Sequence, residues 1–201
     1  MQIFTIGYAT KPIDIFIAQL KQYEIDVIAD IRSVPYSKVF HDYHKESVQS
    51  YLKKHQIKYV YLGDELGPRS KDDKHYDESG QVQFSKLMQS PLFQQGIKRI
   101  KDGINKEFNI ALMCAEKDPA TCHRSLLVGY FLKRHNSSEN NTQNNITIQH
   151  IDHNGNLETQ DALEQRLSTL NEIEVDLFTS AEEQQEQAYQ LQLKNTSYRK
   201  P

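Results

Sequence analysis

The sequence lacks several features that would assign its 201 residues to a familiar class: it has no Trp, two Cys and a net charge of only −3. Two cysteines are too few for a secreted disulfide scaffold, which favours a reduced, cytoplasmic setting. No apolar run approaches the roughly 20 residues needed to span a bilayer. The first residues, MQIFTIGY, lack the basic and long apolar segments of a secretion signal. We therefore expect a cytoplasmic protein without membrane contact.

Glycine-rich phosphate loops are also missing. Gly7 stands alone after the first predicted strand, so neither a Walker loop nor a dinucleotide-binding fingerprint is present, and no cofactor is predicted. The segment after residue 170 carries six acidic and three basic side chains, which leaves 21 of each sign in the first 170 residues. A neutral domain gives no electrostatic support for nucleic acid as a partner.

Short apolar runs alternate with amphipathic stretches along most of the chain. Strands are predicted at 2–6, 26–31, 57–62, 110–114 and 146–151, and helices at 12–23, 45–55, 84–88, 91–105 and 157–170. This alternation indicates a doubly wound α/β domain over residues 1–170, whose mainly parallel five-stranded sheet has helices on both faces. Residues 136–145 read as a low-complexity loop. Residues 171–201 form an acidic, Gln-rich tail that is predicted to be either disordered or helical around 181–193. If it is helical, its polarity predicts that the helix is poorly anchored to the domain.

The stretch 109–132, NIALMCAEKDPATCHRSLLVGYFL, concentrates the chemically capable side chains. It reads as a buried strand, a polar loop and a buried helix. Cys114 lies at the carboxyl end of the strand, and Cys122, His123 and Arg124 fall in the first helical turn. The free N–H groups and the positive dipole at such a turn suit an anion or a thiolate.

Several other candidates follow predicted strands. In a parallel sheet the carboxyl ends of the strands share one edge, where α/β proteins bind their ligands. The residues that this sequence places at that edge are Gly7, Tyr8, Asp30, Arg32, Gly63 to Glu65, Cys114, Glu116 and His150. Their convergence, although they are scattered in sequence, predicts the functional site.

Two arginines are the main candidates for binding an anion. Arg32 follows a strand and Arg124 begins a helix, so each could hold a carboxylate or phosphate with its guanidinium fork. The alternative for both is a structural ion pair with Asp30, Glu116 or Asp118, and the sequence leaves the two readings open.

Proton transfer has three candidate residues. Asp30, at the end of an apolar strand, is either a general base with a raised pKa or the partner of an arginine. Glu116 and His123 are candidates by residue type and position.

Both cysteines of the chain lie in one loop. Either Cys114 or Cys122 could act as a nucleophile, and either could be a packing residue. A redox pair requires the two sulfurs to meet, although seven residues lie between them rather than two. No metal is predicted, because the Cys and His residues lack the paired short spacing of zinc ligands. Arg124 lies ten positions after Cys114 and two after Cys122, so the tight Cys-to-Arg loop of phosphatases and rhodaneses is absent.

Five motifs stand at or near these strand ends: TIGYAT (5–10), DIRSVPYSK (30–38), YLGDELGPR (61–69), MCAEKDPATCHR (113–124) and HI (150–151). Together they resemble the bacterial and archaeal family filed as domain of unknown function 488. This chain has Tyr8-Ala9 where the family usually has His-Ser, and Lys38 where it usually has Arg. The resemblance implies an α/β fold and makes the motif positions a site, which adds Lys38 and Arg69 to the ligand-binding candidates. It implies no reaction.

Two functions fit these observations. The first is a cytoplasmic enzyme acting on a small anionic substrate, bearing phosphate or carboxylate and derived from a nucleotide or nucleic acid. The second is a non-catalytic module that binds a nucleotide or nucleic acid and has structural cysteines. The sequence carries no signal for the oligomeric state.

Overall fold

The computed structural model describes residues 1–135, 146–173 and 179–201. Its strands are β1 (Gln2–Gly7), β2 (Val27–Asp30), β3 (Lys58–Tyr61), β4 (Ile110–Cys114), β5 (Thr147–Ile151) and β6 (Leu157–Thr159). Its α-helices are α1 (Ile13–Gln22), α2 (Lys45–Lys54), α3 (Gly63–Leu66), α4 (Phe84–Gln89), α5 (Pro91–Asn105), α6 (Tyr130–His135), α7 (Gln160–Leu170) and α8 (Ala181–Thr196). A π-helical segment, Arg124–Gly129, leads directly into α6. The predicted loop at 136–145 lies outside the described residues.

The strands form one sheet in the order β3-β2-β4-β1-β5-β6. All neighbouring pairs are parallel except β5 with β6. The predicted doubly wound α/β fold is therefore confirmed, but the sheet has six strands rather than five. The helix predicted over 157–170 is wrong at its start, because residues 157–159 pair with β5. The Thr159 side chain accepts a hydrogen bond from Ala162 N and so begins α7 only after the strand.

Helices cover both faces of the sheet, and each face has its own apolar core. On one face, α1 and α2 bury Phe16, Leu20 and Leu52 against Ile6 and other strand residues. The helices α4 to α8 pack on the opposite face, in the larger cluster. Because α1 follows β1 and the helical segment 124–135 follows β4, two neighbouring strands send their chains to opposite faces. In α/β sheets ligands bind near such a reversal, at the strand carboxyl ends, and in this sheet the reversal falls between β1 and β4.

The acidic tail contributes a packed helix. Ser180 and Glu183 form a reciprocal capping box at the start of α8. Tyr189 Oη donates to Leu126 O at 2.7 Å, and Gln192 Nε2 donates to Ala120 O at 2.6 Å. The expectation of poor anchoring is therefore wrong, because two polar side chains dock the helix by hydrogen bonds to loop carbonyls. Among the described residues, no helix is long and apolar enough to cross a membrane.

Candidate active site

The two cysteine sulfurs meet at the carboxyl end of β4. Cys114 Sγ and Cys122 Sγ are 2.7 Å apart, both cysteines are free, and their side chains are 0% and 1% exposed. Cys122 has extended backbone (φ −126°, ψ 140°) two residues before the helical segment, rather than lying in its first turn as predicted. Its sulfur accepts a hydrogen bond from Arg124 N at 3.4 Å, so the thiol still faces the helix start.

A line of hydrogen bonds passes through both thiols. Arg124 Nη1 donates to Cys114 Sγ at 2.8 Å, and Cys122 Sγ lies 3.0 Å from Glu116 Oε2. A guanidinium can only donate and a carboxylate can only accept, so the ends of the line set its direction. Cys114 therefore donates to Cys122, and Cys122 donates to Glu116. We call this line, from Arg124 through Cys114 and Cys122 to Glu116, the thiol relay.

The surroundings give the members of the thiol relay different proton affinities. Burial raises the pKa of the Cys114 thiol well above its usual value, and the hydrogen bond to Cys122 acts in the same direction. Burial also opposes ionisation of Glu116, but the nearby His123 ring and the Cys122 hydrogen bond outweigh it and lower the pKa of the carboxyl. Glu116 is thus an ionised proton acceptor at neutral pH, and Cys114 is a protonated thiol.

His123 lies beside the relay with its ring orientation set by the backbone. Its Nε2 is 2.9 Å from Ile31 O, which can only accept, so Nε2 carries a proton and Nδ1 is the nitrogen that faces the relay. That Nδ1 faces Cys122 Sγ at 3.8 Å. His123 is therefore placed next to the thiol that donates to Glu116.

Gly7 allows β1 to approach the relay. A Cβ on Gly7 would lie 1.9 Å from Glu116 O and 2.7 Å from Arg124 Nη1. Arg124 Nη1 itself donates to Glu116 O at 2.6 Å, and Nη2 donates to Lys117 O at 3.2 Å. A glycine is needed here to leave room for the guanidinium and the loop that it holds.

Lys11 is a site residue that the sequence reasoning missed. It lies in the loop after β1, is 2% exposed, and its Nζ contacts Gln19 Oε1 and, at 3.3 Å, Asp152 O. Burial and the charge of Arg124 lower the pKa of Lys11 to about 8, against a smaller opposite effect of Asp152. No motif marks this lysine, and only its place after the first strand could have suggested it.

Asp30 and Arg32 form a separate structure at the end of β2. Arg32 Nε and Nη2 donate to the two carboxylate oxygens of Asp30 at 2.8 and 2.6 Å, and both residues are buried. Tyr59 Oη donates to Asp30 at 2.7 Å, while Arg32 Nη1 also reaches Tyr43 O at 2.8 Å. Of the two readings left open for Arg32, this geometry is that of the ion pair with Asp30.

The other candidates lie apart from the thiols. Tyr8 is buried, stacks on Tyr43 with ring centroids 4.2 Å apart, and receives a 3.2 Å hydrogen bond from Arg32 Nη1. Lys38 is exposed in the loop after β2. Arg69 is exposed, with its guanidinium 4.8 Å from the ring centroid of Tyr198.

His150 is buried, and both of its ring nitrogens form hydrogen bonds with other side chains of the protein. Its Nε2 donates to Gln160 Oε1 at 2.9 Å, so its Nδ1 accepts from Thr5 Oγ1 at 2.8 Å. Burial and the positive charge of Arg124 lower the pKa of His150 to about 3. The ring is therefore a neutral bridge between β1 and α7.

The sulfur and carboxylate atoms of the thiol relay can be compared with the geometry of a metal site. One ligand atom each from Cys114, Glu116 and Cys122 lies within 4.8 Å of the others. Tetrahedral zinc with Zn–S bonds of about 2.3 Å holds its sulfurs roughly 3.8 Å apart, whereas a disulfide holds them about 2.05 Å apart. The observed 2.7 Å is nearer to the disulfide, and a guanidinium occupies one side of Cys114.

Comparison with known proteins identifies a family but no individual relative. The model of the family described as domain of unknown function DUF488 matches residues 12–131, more than half of the chain. Three of the five motifs, at 30–38, 61–69 and 113–124, lie inside this match. No curated protein and no solved structure matches the chain.

Proposed function

The chain belongs to the DUF488 family, whose description names no reaction, and we propose that it is a thiol-dependent enzyme acting on a small anion. The anion, bearing phosphate or carboxylate, binds at the carboxyl ends of β1 and β4 and enters from the cleft between the loops that follow β4 and β5. Lys11 and Arg124 hold it, and Glu116 or His123 transfers protons beside the two thiols. Asp30 and Arg32 have no direct role, because they are paired with each other.

A pair of buried cations without carboxylate partners carries this proposal. Lys11 is 2% and Arg124 0% exposed. In the part of the chain that the structure describes, neither cation forms an ion pair with a carboxylate. Burying a charge without a directly paired carboxylate costs several kcal/mol. Asp152 near Lys11 and Glu116 near Arg124 offset part of this cost without forming an ion pair. An anionic ligand would remove that cost, and it would find one guanidinium nitrogen, Arg124 Nε, that has no acceptor among the described residues.

An open cleft of about 720 Å³ lies between the loops that follow β4 and β5. Its lining includes Lys117 and Asp152. The backbone carbonyls of these two residues are the acceptors that Arg124 Nη2 and Lys11 Nζ contact. A single layer of loop backbone therefore separates the cleft from both cations, and an anion reaches them when the two loops move apart.

Calorimetric titration with inorganic phosphate, sulfate and acetate tests the proposal. We expect at least one of these anions to bind saturably, and Lys11→Met and Arg124→Met each to weaken that binding by about tenfold or more, since each removes one charge from a desolvated site. Arg99→Met is the matched control, because Arg99 is partly exposed and already paired with Glu65. Affinity should also fall as the pH rises through about 8, where Lys11 loses its proton. Failure of all three anions to bind, or equal affinity in the variants, contradicts the proposal.

A further inference from the structure

We infer that Cys114 and Cys122 form a reversible two-electron redox pair that reduces a small hydroperoxide and becomes an intramolecular disulfide. This inference depends on the sulfur geometry and not on the anion site proposed above. Sulfurs 2.7 Å apart need to approach by well under 1 Å to reach the bond length of about 2.05 Å. The loop at the end of β4 therefore already holds the two thiols close to the geometry of a disulfide.

The thiol relay assigns different roles to the two cysteines. Cys122 donates to the ionised Glu116 carboxylate, so it is the thiol that can lose its proton to a base. Cys114 is held as a protonated thiol and donates to Cys122. We therefore take Cys122 as the attacking sulfur and Cys114 as the resolving one.

The burial of both sulfurs limits the oxidant to a small molecule. Cys122 is 1% exposed, so a large disulfide substrate, such as one on another protein, has no room to line up with the attacking sulfur. Hydrogen peroxide and small alkyl hydroperoxides present a single terminal oxygen. Their access to Cys122 requires a movement of the loop at 116–123, because the sulfur is buried.

Oxidation proceeds in two balanced steps. Glu116 takes the proton of Cys122, the sulfur attacks the terminal peroxide oxygen, and the O–O bond breaks. The departing alkoxide or hydroxide takes that proton from Glu116 and leaves as alcohol or water. Cys122 is then a sulfenic acid. The Cys114 sulfur next attacks the Cys122 sulfur, the S–O bond breaks, and hydroxide leaves as water with the proton of Cys114. Arg124 Nη1, 2.8 Å from Cys114 Sγ, stabilises the charge that develops there. Two molecules of a small external thiol, which enter by the same movement of the loop, restore the dithiol and form their own disulfide.

The first test follows the reduced full-length chain with equimolar hydrogen peroxide at pH 7. We expect its mass to fall by two hydrogen atoms and both cysteines to become resistant to alkylation until a thiol reductant is added. The same chain unfolded in urea is the control, because its thiols no longer contact Glu116 and Arg124. The folded chain should react faster than the unfolded one.

Two single variants test the order of the cysteines. Cys114→Ser should accumulate a sulfenic acid on Cys122 that dimedone traps, whereas Cys122→Ser should accumulate none on Cys114. Thermal melting checks that each variant folds, and Cys114→Ala replaces Cys114→Ser if the buried hydroxyl prevents folding.

Glu116 is tested as the base that takes the proton of Cys122. Glu116→Gln should slow disulfide formation at pH 7 by about 100-fold, as expected for the loss of a general base. The deficit should shrink as the pH approaches the range where thiols ionise unaided. Glu107→Gln, which changes an exposed carboxylate in the turn before β4, should leave the rate unchanged.

Three results would overturn the inference. The first is oxidation to sulfinic or sulfonic acid without a disulfide. The second is a pair of thiols that react only after unfolding. The third is stoichiometric binding of added Zn²⁺ that protects both thiols, which would make the cluster a metal site. The two proposals fail separately, because anion binding is measured by calorimetry and disulfide formation by the mass of the oxidised chain.

Discussion

Two buried arginines stand at the carboxyl ends of neighbouring strands, and their surroundings differ. Arg32 has a carboxylate partner in Asp30, which accepts two guanidinium hydrogen bonds. Arg124 is more deeply buried, yet its acceptors are a thiol and two backbone carbonyls. Both side chains are long cations at the same edge of the same sheet, so burial alone does not distinguish a structural arginine from a functional one.

The identity of the acceptor makes the distinction. A guanidinium paired with a carboxylate has its charge balanced inside the protein and gains little from a ligand. A guanidinium paired with thiols and carbonyls has a charge that a thiolate or an external anion can balance. The charge of Arg32 at the end of β2 is thus balanced within the protein. The charge of Arg124 near the end of β4 can still be balanced by a thiolate or a bound anion.

Replacing each arginine by methionine should separate the two environments most strongly. Arg32→Met leaves the buried Asp30 carboxylate without its partner and should lower the free energy of unfolding by about 3–5 kcal/mol. Arg124→Met removes a cation from neutral acceptors only and should cost about 1–2 kcal/mol. Urea denaturation of both variants measures the difference.

The double variant Asp30→Asn with Arg32→Met is the matched control for this comparison. It removes both charges, so it should recover part of the stability lost in Arg32→Met. If Arg124→Met proves as destabilising as Arg32→Met, then Arg124 is also a structural cation, and the distinction drawn from the acceptors is wrong.

The pH dependence of stability gives a second, somewhat smaller effect. The folded-state pKa of His150 is about 3, below the reference value of about 6.5, so the unfolded chain binds a proton more readily between these values. Stability should therefore fall as the pH drops, by about 3 kcal/mol between pH 7 and pH 4 from this residue. His150→Gln should flatten the profile in that range, as measured by denaturation at several pH values.

His55→Gln is the control for His150, because His55 is exposed at the end of α2. It should leave the profile of the wild-type chain unchanged. A profile that stays equally steep in His150→Gln would mean that the acid sensitivity arises elsewhere, among the paired carboxylates.

Much of the fold could be predicted because apolar spacing and caps act locally. The bounds of β4 and α5 match the predicted 110–114 and 91–105, since the first is a continuous apolar run and the second begins with Ser90 and Pro91. β6 was not predicted, because its three residues are too few to show an alternation of apolar and polar side chains. Only their pairing with β5 makes them a strand.

The candidate site was predictable in its place but not in its contacts. Cys114 and Cys122 lie in one loop of the sequence, yet their separation says nothing about whether that loop brings the sulfurs together. The burial of Lys11 depends on Gln19 and on the carbonyl of Asp152, which come from other parts of the chain. These contacts are set by tertiary packing, which residue spacing does not encode.

The smallest effect should come from the contact between Tyr8 and Arg32. Tyr8→Phe removes the hydroxyl that accepts the 3.2 Å hydrogen bond from Arg32 Nη1 but keeps the stacking on Tyr43, so it should cost about 1 kcal/mol in urea denaturation. Tyr36→Phe removes an exposed hydroxyl and should change stability by much less. Equal losses in the two variants would show that the Tyr8 hydroxyl adds nothing to the ion pair, because the Tyr43 carbonyl and Asp30 already satisfy the guanidinium.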